Sequence, residues 1–144
     1  MYKLVKLSFA LILFSFVFIS CKKDNKPNKT TVFKAMLSGS NEVPGNPSQA
    51  TGTSVLTFNK DTKMFSVVVI YTGMTPVAGH IHKAIAGQNG PVIFPFTSLV
   101  SPISLTSPVL TDQQITALFA DSMYVNLHSA AYPGGEIRGQ LIKQ

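Results

Sequence analysis

The sequence predicts an all-β sandwich carrying one short helix. Three observations lead there: apolar and polar residues alternate over several short runs, turn-forming residues separate those runs, and only one segment has helical spacing.

Taken in order, Phe33, Ala35 and Leu37 alternate with polar or flexible residues and mark the first strand. Ser54, Leu56 and Phe58 mark the second. A polar turn, Asn59-Lys60-Asp61-Thr62-Lys63, joins it to Met64–Tyr71, a run rich in β-branched and aromatic residues, so the pair reads as a hairpin. Strands follow at Val77–His82 and Val92–Phe96. The helix comes next: Thr111 stands three residues before Gln114, the pattern of a capping box, and Ile115, Leu118 and Phe119 recur at helical spacing. Tyr124–His128 and Glu136–Ile142 are the last two strands, joined through Tyr132-Pro133-Gly134-Gly135 into a second hairpin. About seven short strands with frequent turns suit a sandwich. The chain contains no internal repeat.

Residues 1–20 precede this domain and have the layout of a secretory signal: lysines at positions 3 and 6, an apolar run, and a small residue just before Cys21. That run, Leu7 to Ile19, is shorter than the roughly 20 residues a membrane-spanning helix needs. Removal of the segment is expected. Cys21 is the only cysteine, and the Phe18-Ile19-Ser20-Cys21 stretch resembles the lipobox of bacterial lipoproteins, so the sequence predicts a lipid anchor on Cys21. Lys22 after it resembles lipoproteins sent to the outer membrane. Residues 21–31 hold four lysines, one aspartate and few apolar side chains, the composition of a solvated tether beside anionic head groups. The domain proper is 32–144.

A sequence pI of 9.6 invites a nucleic-acid reading, but most of the excess charge lies outside the domain. From residue 31 onward there are six basic and five acidic residues, spread along the chain. Such a domain lacks the basic patch that nucleic-acid binding requires.

The candidate functional residues are the three histidines. His80 and His82 share one face of a strand, and in Tyr124-Val125-Asn126-Leu127-His128 alternation puts His128 on the polar side while Val125 and Leu127 face the core. Three neutral imidazoles with an open fourth position suit copper or zinc. The competing reading treats His80 and His82 as ordinary polar residues of a strand, and both stay open at this stage. Glu136, Arg138 and Tyr132 are candidates for orienting such ligands from behind.

Three stretches carry a family resemblance: Leu37-Ser-Gly-Ser-Asn-Glu-Val-Pro44; Gly79-His80-Ile81-His82 with Asn89-Gly90-Pro91-Val92; and Tyr124-Val-Asn-Leu-His128 with Tyr132-Pro-Gly-Gly-Glu-Ile-Arg-Gly139. Together they resemble the CHRD domain, named for chordin, from about Phe33 to Leu141. The family occurs in bacterial secreted proteins and lipoproteins as well as in chordins, which bind growth factors. The histidine layout is similar, more distantly, to copper/zinc superoxide dismutase, whose copper ligands His80, His82 and His128 would match. These resemblances imply a Greek-key sandwich, immunoglobulin-like or superoxide-dismutase-like, and favour copper. The bridging histidine, zinc ligands and disulfide of the dismutase have no counterpart, so a redox activity does not follow.

Two functions of different classes are therefore expected to compete. One is an anchored extracytoplasmic domain that binds a transition metal through His80, His82 and His128. The other is a metal-independent module that recognises protein or glycan at the cell surface. A Ser-His-Asp hydrolase is disfavoured because no nucleophile elbow is present.

Overall fold

The computed structural model describes residues 29–144. The expected leader, Cys21 and all but the last residues of the tether lie outside the described residues.

The domain is a curled antiparallel sheet with strand order β5 (Val92–Pro95), β4 (Pro76–His82), β7 (Tyr124–Ser129), β8 (Ile137–Gln140), β1 (Thr30–Ser38), β2 (Thr51–Asn59), β3 (Met64–Thr72) and β6 (Ile103–Thr106), and β9 (Ile142–Lys143) adds to β1. Three long strands form one half: β1 (Thr30–Ser38), β2 (Thr51–Asn59) and β3 (Met64–Thr72), paired in unbroken register from Thr30↔Asn59 to Ser38↔Thr51 and from Asn59↔Met64 to Thr51↔Thr72. The expected first hairpin is therefore present. Asn59 closes its turn by accepting from the backbone amides of Asp61 and Thr62 at 2.9 and 3.2 Å. Along β1, Phe33, Ala35 and Leu37 are buried while Lys34 and Met36 face solvent, as period-two alternation dictates.

The other half comprises β4 (Pro76–His82), β5 (Val92–Pro95), β7 (Tyr124–Ser129) and β8 (Ile137–Gln140). The chain passes between halves after β3 and again after β5, where it adds β6 (Ile103–Thr106) beside β3. The sequence reading did not single out β6, because Ile103-Ser104-Leu105-Thr106 alternates over only four residues and is hemmed by prolines at 102 and 108. Helix α1 (Asp112–Phe119) begins as expected, with the Thr111 hydroxyl accepting from the Gln114 amide and the Gln114 side chain accepting from the Thr111 amide.

The halves close on one core. Phe119 packs edge-on against Phe33 and Phe58 at 5.5 and 5.6 Å between centroids, and Phe65 of β3 meets Phe94 of β5 at 5.1 Å. The last expected strand is divided. β8 follows β7, then Leu141 turns its backbone amide to Met123, and Ile142–Lys143 (β9) pair with Lys34 and Phe33 of β1. With Ser38 paired to Arg138, this makes one hydrogen-bonded sheet folded into a sandwich rather than two separate sheets.

Leu141 is wholly buried at this crossing. Leu141→Ala is expected to lower unfolding stability by about 2–5 kcal/mol, read as a lower denaturant midpoint at unchanged slope.

Candidate metal centre

β4 and β7 pair with Ala78 opposite His128, His80 opposite Asn126 and His82 opposite Tyr124. Alternate residues share a face, so one face carries all three imidazoles while Ile81, Val125 and Leu127 enter the core. Ring centroids are 5.5 Å apart for His80 and His82, 5.2 Å for His80 and His128, and 6.4 Å for His82 and His128. One ring nitrogen from each lies within 4.8 Å of the other two.

The outer nitrogens of two rings are held from behind. His82 Nδ1 lies 2.9 Å from the Gly90 carbonyl, and His128 Nδ1 lies 2.9 Å from the Pro133 carbonyl. A carbonyl only accepts, so each Nδ1 carries the proton and each Nε2 offers a lone pair. Those two Nε2 atoms, with His80 Nδ1, are buried and have no hydrogen-bond partner. One nitrogen of each ring is thus buried without a partner. Burial lowers the His80 pKa, and the neighbouring His128 and His82 lower it further. At His82 burial again dominates, opposed by the Gly90 bond and reinforced by His128 and Arg138. An ion held at about 2.0–2.1 Å spaces its nitrogens roughly 3.3–3.6 Å apart, so the nitrogens, within 4.8 Å of one another, need close by no more than about 1.5 Å. The residues present fit a metal ion.

The face that bears these rings is roofed by loops. A Cβ at Gly90 would stand 2.0 Å from the Lys83 carbonyl oxygen, so only glycine lets the 83–91 loop fold tightly enough to reach His82. Arg138 fastens the same loop, donating to the Gln88 carbonyl at 2.6 Å and to Asn89 Oδ1 at 3.2 Å. Its guanidinium lies 3.4 Å from the centroid of Tyr124, and the Tyr124 ring stacks in parallel on His82 at 4.8 Å. Arg138 thus orients His82 through one aromatic ring and one loop. Tyr124, Asn126 and Arg138 are buried although they face away from the core.

Of the other expected residues, Glu136 is buried with Oε1 accepting from Ser48 Oγ at 2.7 Å. Tyr132 lines a separate cleft, and its backbone closes the turn with Ser129 and Gly135. Sequence reasoning did not single out Glu42. Its Oε1 accepts from Asn126 Nδ2, which places a carboxyl beside the row of histidines. Burial raises its pKa to about 7, against the opposing pull of Asn126 and Arg138.

Fold and site together define an all-β domain with a three-histidine candidate metal centre. The family model of the CHRD domain matches residues 33–141, well over half of the 144-residue chain. This chain belongs to the CHRD family. No curated protein and no solved structure matches it.

The shifts have opposite consequences for stability. Glu42, raised from 4.5 to about 7 by folding, contributes stability that is full below 4.5 and lost as pH rises to 7, on the order of 3 kcal/mol. His80 and His82, lowered from 6.5, contribute stability that is present above 6.5 and lost as pH falls. Denaturant midpoints of Glu42→Gln are expected to rise between pH 5 and 7 more steeply than those of the unaltered protein. Parallel profiles would remove Glu42 from this balance.

Proposed function

We propose that this CHRD domain is lipid-anchored through Cys21 at a bacterial outer membrane and binds a transition metal, copper in preference to zinc, through His80, His82 and His128. The observation that carries the metal reading is the convergence of three buried, unpartnered imidazole nitrogens, two of them in tautomers fixed by backbone carbonyls. Among divalent ions, copper binds nitrogen donors most strongly, and no thiolate or carboxylate belongs to the donor set. Such an ion would supply a Lewis-acid centre with a coordination position left for a small ligand. The chain's own part is to hold three imidazole donors and, by burial, to discourage protonation of His80 and His82.

The anchor rests on the leader-like residues 1–20, the single cysteine and the lysine-rich tether. Metabolic labelling with a radioactive fatty acid tests it: label retained by the unaltered chain and lost with Cys21→Ser supports it, and label in neither rejects it.

Copper(II) titration of the full chain in detergent is expected to show one ion per chain, tighter than zinc. The triple variant His80→Ala, His82→Ala, His128→Ala should lose more than about 100-fold in affinity, beyond the roughly 10–100-fold that loss of a ligand's outer hydrogen-bond partner costs. Equal binding by both proteins would leave the metal-independent protein or glycan module as the reading.

A further inference from the structure

A second site adjoins the histidines without using them. Three loops meet there: Glu42 to Asn46 after β1, Asn89 in the 83–91 loop, and Ala131 to Gly135 before β8, around a cleft of about 440 Å3. Most polar groups of its walls are already satisfied. Asn46 Nδ2 donates to the carbonyls of Gly135 and Glu136 at 3.2 and 3.1 Å, its Oδ1 accepts from the Ser48 amide at 2.9 Å, and Asn89 Nδ2 donates to the Val43 carbonyl at 2.8 Å. These amides build the cleft and have little left for a ligand.

Glu42 is the exception. The residue is only 9% exposed, and Asn126 engages Oε1. Oε2 has no hydrogen-bond partner and, unlike the histidine nitrogens, is not sealed from the surface. A buried carboxylate is costly unless a cation accompanies it. The charged neighbour is Arg138, whose donors go to Gln88 and Asn89 while its plane lies on Tyr124. Glycine lets the loop before β8 pack directly against Oε1 and leaves Oε2 as the free oxygen. Gly135 has φ of +133°, and a Cβ there would lie 2.7 Å from Glu42 Oε1. Nothing lies within 4 Å of a Cβ on Gly134, and Tyr132 supplies an aromatic ring to the lining.

We propose that this cleft binds an organic cation, a protonated amine or a guanidinium, through Glu42 Oε2 with Tyr132 beside it. The ligand carries its charge on a slim stem, since glycine and proline form much of the wall. Because this site does not use the imidazoles, it stands or falls apart from the metal reading.

The test uses the full chain in detergent with a chelator present, followed by amide NMR shifts of Gly135 and of the Asn126 side chain. Probes are butylammonium, N-acetyl-lysinamide and N-acetyl-argininamide, with butanol and methyl glucoside as neutral controls. The cationic probes should shift both signals saturably, and the neutral controls should not. Glu42→Gln, which keeps an oxygen for Asn126, should weaken cation binding about 10- to 100-fold, the worth of one charge-assisted bond. Tighter binding of the amino-acid amides would point to a basic peptide side chain, and tighter binding of butylammonium to a free amine. Either order supports the proposal. In the unaltered protein the Glu42 carboxyl titration, followed by its 13C shift, should move below about 7 when butylammonium is bound, a readout independent of how the variant folds. Equal binding of butanol, or a Glu42 titration unmoved by saturating cation, would overturn it.

Discussion

The register of β4 against β7 is the constraint on which the site depends. Setting His80 opposite Asn126 fixes His82 opposite Tyr124 and leaves His128 diagonal to His80. A slip of one residue would send all the imidazoles of one strand into the core and Ile81, or Val125 and Leu127, out of it. Burial of these apolar residues therefore enforces the register. The core that stabilises the domain also aligns the three imidazoles.

Around that register the protein buries a polar face. Tyr124, Asn126 and Arg138 are among its most enclosed residues, yet they lie on the side of the sheet away from the apolar interior. Loops make this possible by donating backbone carbonyls where side chains need acceptors: Gly90 to His82, Pro133 to His128, Gln88 to Arg138. The stack of guanidinium, phenol and imidazole ties loop, strand and ligand into one unit. Displacing any layer should be felt by the others, since buried polar networks have few alternative arrangements.

Much of this was legible in the sequence, and the reasons are local. Period-two alternation exposed β1, β2 and β7, the capping box exposed α1, and the phase of His128 placed it with His80 and His82. What could not be read came from long-range packing. β6 is too short to show a period. The division at Leu141 depends on where β1 lies relative to β7. Glu42 looked like a loop residue because the partner that buries it, Asn126, is remote in the chain. Tyr124 and Asn126 were assigned to the correct face, but alternation says nothing about whether loops will cover that face. Glu136 illustrates the same limit: strand phase alone could not foresee that Ser48 would take its carboxylate.

One row of paired residues runs across the sheet from Ser38 through Arg138, Asn126 and His80 to Pro95. The N-terminal side of the domain joins at the other extremity of β1, where Lys29 is ion-paired with Asp61 in the β2–β3 turn. Eight residues of extended chain separate Thr30 from Ser38, a rise of about 27 Å. The histidines and the Glu42 cleft thus lie toward the Ser38 end of β1, and the hairpin turn lies at the Thr30 end. Both sites therefore lie about one full strand length from the point where the chain enters the domain.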